Sequence, residues 1–195
     1  MTDTKEKILL SALDLFSKKG YDAVSVSMIA GASGLTKGAL YRHYRDKRDI
    51  FESIIERAKQ LDGEISSNHG VPSEDFSENA GEYRDTDMVS VIKFSRAMFD
   101  YWTQDPFALR LRRMLTIEQY GNKEINGFYG SCLVSGPVEY LKNIFSENGF
   151  EDFEGMALRL YSPMFFLFTL YDSEPELAKK LLNDHLNNFM RENIK

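Results

Sequence analysis

Between positions 34 and 44 the chain gathers Lys37, Arg42 and His43 with the hydroxyls of Thr36, Tyr41 and Tyr44, spaced by Gly34, Gly38 and Ala39. Cations of this kind neutralise phosphates, and Arg and Lys also donate to base edges in the major groove of DNA. Tyr combines an apolar ring with a hydroxyl that can donate to a phosphate oxygen. Gly38 has no side chain to hold a helix away from a groove. A solvated basic face would explain the charges alone. It would not explain a glycine turn, a glycine inside a short helix and two interleaved tyrosines together.

These side chains need a scaffold, and the preceding residues supply one. Ile8, Leu9, Ala12, Leu13, Leu15 and Phe16 recur at helical spacing, with Asp3 and Glu6 as a capping box and Gly20 as a terminator, predicting a helix over 4–19. Ser25 can cap a second, short helix with Val26, Ile29 and Ala30 inward. Gly34 supplies the positive φ of a tight turn, and Thr36 opens a third helix that reaches Tyr44. Asp46 caps a fourth that runs to about residue 62. Leu40 is the one large aliphatic side chain in the third helix. It must face the core, which turns Thr36, Lys37, Ala39, Arg42 and His43 outward. Ser25 and Ser27 offer hydroxyls at the start of the second helix, and Lys47 is a cation at the start of the fourth, where the helix dipole disfavours it unless an external anion is near. Two short helices joined by a glycine turn and braced by a longer one make a helix-turn-helix.

From Ile8 through the Leu-Thr-Lys-Gly-Ala-Leu-Tyr-Arg-His-Tyr run to Phe51, the sequence closely resembles the TetR family of bacterial transcriptional regulators. The resemblance implies that Thr36, Lys37, Ala39 and His43 face bases or adjoining phosphates, that Ser25, Tyr41, Tyr44 and Lys47 contact phosphates, and that Gly38 permits close approach. Ser27 and Met28 depart from the more polar pair common in the family.

The charge balance agrees with a single nucleic-acid face. The net charge is −6, but residues 1–50 hold nine basic against six acidic side chains, whereas the remainder holds 15 against 24. A basic module on an acidic body leaves one end suited to phosphate. No apolar run approaches the roughly 20 residues that span a bilayer, the N-terminus lacks a signal-peptide core, and the single cysteine, Cys132, suits a reducing compartment. The expected location is the cytoplasm.

Residues 51–195 read as an all-α body. Met88 to Trp102 keep helical period. Asp105-Pro106 caps a helix continuing to Glu118, Asn122 can cap the next, and Gly136-Pro137 kinks or splits it. An apolar helix over 152–171 surrounds Pro163, and Ser173 to Glu176 form a capping box for a last helix over 174–192. The polar stretch 64–86 reads as a connection. Phe94, Met98, Trp102, Met114, Phe128, Tyr140 and Phe165 could line a cavity, with Glu118 and Tyr140 as polar anchors for an adaptable apolar ligand. The last two helices are apolar on more than one side. Leu158, Tyr161, Leu177, Leu181, Leu182, Leu186 and Phe189 are therefore assigned to a homodimer interface, and the resemblance implies a four-helix bundle there.

Scattered His43, His69 and His185 offer no metal-ligand spacing, and neither a phosphate-binding loop nor a nucleophile elbow is present, so no catalysis and no cofactor are expected. The organisation expected is a helix-turn-helix domain over 1–50 and an effector-binding and dimerisation domain over 51–195. The function expected is a homodimeric regulator on a palindromic operator, most simply a repressor released by a small molecule. The alternative is a DNA-binding regulator that works through a protein partner or as an activator, without such an effector.

Overall fold

The computed structural model describes residues 3–68, 83–84, 86–121 and 123–193, and every regular element among them is a helix. In order these are α1 (Thr4–Lys19), α2 (Val26–Ala32), α3 (Lys37–Leu40), α4 (Lys47–Asn68), α5 (Met88–Gln104), α6 (Pro106–Glu118), α7 (Lys123–Leu133), α8 (Ser135–Glu147), α9 (Phe153–Ser173) and α10 (Pro175–Asn193). They fall into two compact units, Met1–Leu61 with Asp105–Tyr129 and Asp62–Gln104 with Gly130–Lys195.

The first unit is the helix-turn-helix with one addition from far along the chain. Asp3 caps α1, and the helix buries Ile8, Leu9, Ala12, Leu13 and Phe16 on one face, as their spacing requires. Ser25 accepts the N–H of Met28 to cap α2, and Asp46 accepts that of Asp49 at the start of α4. Packed along α1 lies α6, which buries Phe107, Leu111, Met114 and Leu115. Its Arg110 pairs with Asp14 at 3.1 Å, while Arg57 of α4 pairs with Glu6 and lies over the Phe107 ring. Compactness thus groups α6 with the N-terminal helices, a grouping that composition and charge did not suggest.

In the second unit α9 packs against α5, α8 and α10. Phe99 of α5 stacks on Phe168 of α9 at 5.3 Å between ring centres, and His185 of α10 meets the Leu160 carbonyl at 2.8 Å. The break expected at Gly136-Pro137 comes slightly earlier, at Val134 between α7 and α8. A Cβ on Gly136 would fall 1.8 Å from the Ser131 carbonyl oxygen, so the junction closes only around a residue without a side chain. Ser173 belongs to α9 and donates its hydroxyl to Leu170, so the capping box expected there is not formed. The cap expected at Asn122 and most of the 64–86 connection lie outside the described residues, and α4 continues past residue 62 to Asn68.

Candidate nucleic-acid interface and ligand cavity

The turn between α2 and α3 is built on Gly34 at φ +69°, a conformation that costs a residue with a Cβ roughly 1–2 kcal/mol. Leu35 then sends its N–H back to the Ala30 carbonyl at 2.8 Å. Thr36 accepts the Ala39 N–H at 3.2 Å and starts α3. The helix is shorter than expected and ends at Leu40. Tighter bonds then take over, with Arg42 N–H on Ala39 and His43 N–H on Leu40.

Leu40 is fully buried, and Thr36, Lys37, Gly38, Tyr41, Arg42 and His43 are exposed, with Ala39 half-buried beside them. A Cβ placed on Gly38 would meet nothing within 4 Å, so this surface is open. Ser25 and Ser27 are also exposed, with the Ser25 hydroxyl already serving its cap. Lys37 stands 5.8 Å from the Tyr41 ring centre.

Two residues are placed differently. Tyr44, expected at the surface, is buried, and its hydroxyl donates to the Lys5 carbonyl at 3.3 Å. The chain beyond α3 turns inward here, and the ring meets Lys5 of α1. Burial pushes the Tyr44 phenol up to about 12. Lys47 is half-buried, with its ammonium on the Tyr21 carbonyl at 2.7 Å and 4.0 Å from the Tyr21 ring centre. It ties α4 to the loop after α1. That contact also explains a cation in the first turn of a helix. Nearby, the Lys18 ammonium and then Arg110 hold the Asp14 carboxyl below its ordinary range, and the Arg45 N–H does the same for Asp49.

The second unit encloses a cavity of about 270 Å³. Phe94, Met98 and Trp102 of α5 and Tyr140 of α8 line it. Tyr161, Met164 and Phe168 of α9, Tyr83, and the side chains of Ser95, Cys132, Glu139 and Asn143 also line it. Four residues expected there lie elsewhere. Met114, Glu118 and Phe128 belong to the first unit, where Met114 is buried in the α6 face and Glu118 accepts the Tyr21 N–H at 2.7 Å. Phe165 is exposed on α9. Met164 and Phe168 sit one and three places from Phe165, so the helix presents its neighbours to the cavity instead. That rotation is a matter of packing, and periodicity on an almost wholly apolar helix does not reveal it.

The residues expected to form a dimer face divide the same way. Tyr161, Leu182, Leu186 and Phe189 are buried within their own unit, and the Tyr161 hydroxyl donates to the Leu133 carbonyl at 2.8 Å. Leu158, Leu177 and Leu181 are exposed, together with Phe165 and Phe166. No group of His, Cys, Asp and Glu that could hold a metal occurs among the described residues, and no described helix is long and apolar enough to cross a membrane.

Residues 8–54 match the sequence family of bacterial regulatory proteins named tetR. Over 63 residues the chain is 43% identical to the transcriptional regulator AcrR of Shigella flexneri, covering 32% of this chain and 29% of that one. It is 44% identical over 63 residues to the transcriptional repressor BepR of Brucella suis, covering 32% and 30%. The chain therefore aligns with under a third of the length of these relatives. Its fold is similar to that of SmeT of Stenotrophomonas maltophilia in complex with triclosan, with a TM-score of 0.65 at 18% identity over 97% of this chain and 90% of that one. The helix-turn-helix segment, with α3 exposed behind the Gly34 turn, is therefore similar to that of the tetR family of bacterial regulatory proteins.

Proposed function

We propose that this protein is a homodimeric, sequence-specific DNA-binding transcriptional repressor that a small molecule releases from a palindromic operator. The observation that carries the reading is the exposed surface of α3 and the turn after it. Thr36, Lys37, Gly38, Ala39, Tyr41, Arg42 and His43 share it, with Leu40 as the buried anchor. Lys37, Arg42 and the hydroxyls bring phosphate affinity, and the small Gly38 and Ala39 let the helix approach the base edges. Ser25 and Ser27, exposed at the start of α2, are assigned to further phosphate contacts. Lys47 acts by positioning it, through Tyr21.

Dimerisation is supported by the exposed apolar side chains Leu158, Phe165, Phe166, Leu177 and Leu181 on α9 and α10. Two helix-turn-helix units related by a two-fold axis read half-sites about 34–36 Å apart, or a multiple of this. Release by a small molecule is supported by the cavity among α5, α7, α8 and α9. A ligand that favours a form of the dimer with lower DNA affinity weakens DNA binding by the same factor that DNA weakens its own binding.

The reading is tested by selecting bound sequences from random duplexes with the full chain. A palindromic consensus, bound as one dimer with salt-dependent affinity, is expected. Enrichment of no sequence would overturn it.

A further inference from the structure

Resting on the reading of the second unit's cavity as an effector site, we infer that its occupant is a ring-bearing lipophilic organic cation and that carboxylates and phosphates of similar size are rejected.

Among the described residues the lining contains no Lys, Arg or His, and its one charged side chain is Glu139. An anion buried there would lose its hydration with no cation in the wall to replace it. Lys142, three residues along α8 from Glu139, does not line the cavity and is already held between Glu139 at 3.1 Å and Glu154 at 3.3 Å. Two carboxylates around one ammonium leave this cluster with net negative charge. The excess of 24 acidic over 15 basic residues beyond position 50 biases the surroundings the same way.

The wall is also built to receive a cation with an apolar body. Tyr140, next to Glu139, has the Tyr83 ring at 5.6 Å and the Phe94 ring at 5.7 Å between centres. Asn148 fixes Tyr83 by donating to its backbone carbonyl at 2.9 Å. The three rings offer their faces to an alkylammonium, and Glu139 of the same wall, 62% exposed and shared with Lys142 at 3.1 Å, adds a carboxylate. Trp102, Met98 and Phe168 extend the apolar wall for a ring. The volume of about 270 Å³ suits a molecule of one or two rings.

Trp102 is the only tryptophan of the chain and is buried against the cavity, so intrinsic fluorescence reports occupancy directly. Three probes share one body and differ in charge: phenylbutyltrimethylammonium, phenylbutanol and phenylbutyrate. Titration of the full-length protein should rank them in that order, with the cation bound at least about tenfold more tightly than the carboxylate. Glu139→Gln should weaken the cation several-fold and leave phenylbutanol unchanged; Tyr140→Leu should weaken the cation more than the alcohol. Phenylbutyrate binding as tightly as the cation would overturn the charge selectivity while leaving an effector cavity in place. An unchanged cation affinity in Glu139→Gln, or equal losses for cation and alcohol, would overturn the role of the carboxylate. Absence of saturable binding by all three would overturn both this inference and the effector-site reading on which it rests.

Discussion

Glu118, the last residue of α6, accepts the backbone N–H of Tyr21 at 2.7 Å across 97 positions of sequence. The carboxylate satisfies a donor in the loop that leaves α1, and it approaches Gly20 so closely that a Cβ there would lie 2.7 Å from the same oxygen. Lys47 holds the carbonyl of the same Tyr21. One residue of the α1–α2 loop is therefore gripped from α6 and from α4. This fixes how α2 leaves the first helix, and hence where α3 is presented.

Glu118→Ala should destabilise the protein by about 1–3 kcal/mol, the usual effect of removing a charged acceptor from a partly buried donor. Glu118→Gln, which keeps an acceptor oxygen, should recover much of this. Chemical denaturation measures both, and a wild-type midpoint for the alanine variant would show that water serves the Tyr21 N–H equally well.

Gly38→Leu should keep the wild-type melting temperature, because the position opens onto empty space. Operator binding should nevertheless be lost, since the new side chain holds α3 off the groove. Mobility shift together with thermal melting separates the two effects; retained affinity would show that α3 does not dock closely.

The cations of the surface should differ in kind. Lys37→Ala and Arg42→Ala should each reduce the slope of log affinity against log salt by about one. Lys47→Ala should instead lower the melting temperature, because its ammonium lies between the Tyr21 ring and carbonyl. A full unit of slope lost in Lys47→Ala, with stability intact, would return that residue to the phosphate contacts.

Neighbouring leucines on α10 should separate association from folding. Leu181 is 39% exposed and Leu182 only 2%. Leu181→Glu should give a folded monomer by sedimentation velocity, whereas Leu182→Glu should unfold the second unit, because a charge without a partner enters its core. A stable dimer of Leu181→Glu would rule this face out as the interface.

Alkaline denaturation should depend on Tyr44. Its phenol ionises at about 12 in the folded protein, against an ordinary 10.0, because burial disfavours the charged form. The folded state therefore keeps a proton that the unfolded chain gives up. This contribution to stability is complete below pH 10 and is lost as pH rises toward 12. The Tyr21 phenol, raised chiefly by burial, acts in the same direction. In Tyr44→Phe the fall of stability with pH over this window should be shallower, and an unchanged slope would mean that Tyr44 is not the group responsible.

Local chemistry made the helix-turn-helix legible from the chain alone. Asp3, Ser25, Thr36, Asp46 and Asp105 cap the helices that their side chains were expected to cap, and Gly34 takes the positive φ of the turn. The burial of Leu40 followed from its being the one large aliphatic residue of its helix. Such features depend on residues within a few positions of one another, so spacing reveals them. The facing of an almost wholly apolar helix is different. On α9 nothing in the pattern distinguishes Phe165 at the surface from Met164 and Phe168 against the cavity, and on α10 Leu181 and Leu182 read alike. Only packing against other helices selects their sides. The same holds for contacts made across long stretches of chain. The inward turn of Tyr44 toward Lys5, the engagement of Lys47 by Tyr21, and the removal of Glu118 from the cavity to that same loop all depend on which helices meet. Tertiary structure decided those, because a side chain's partner is set by what the fold brings within reach of it.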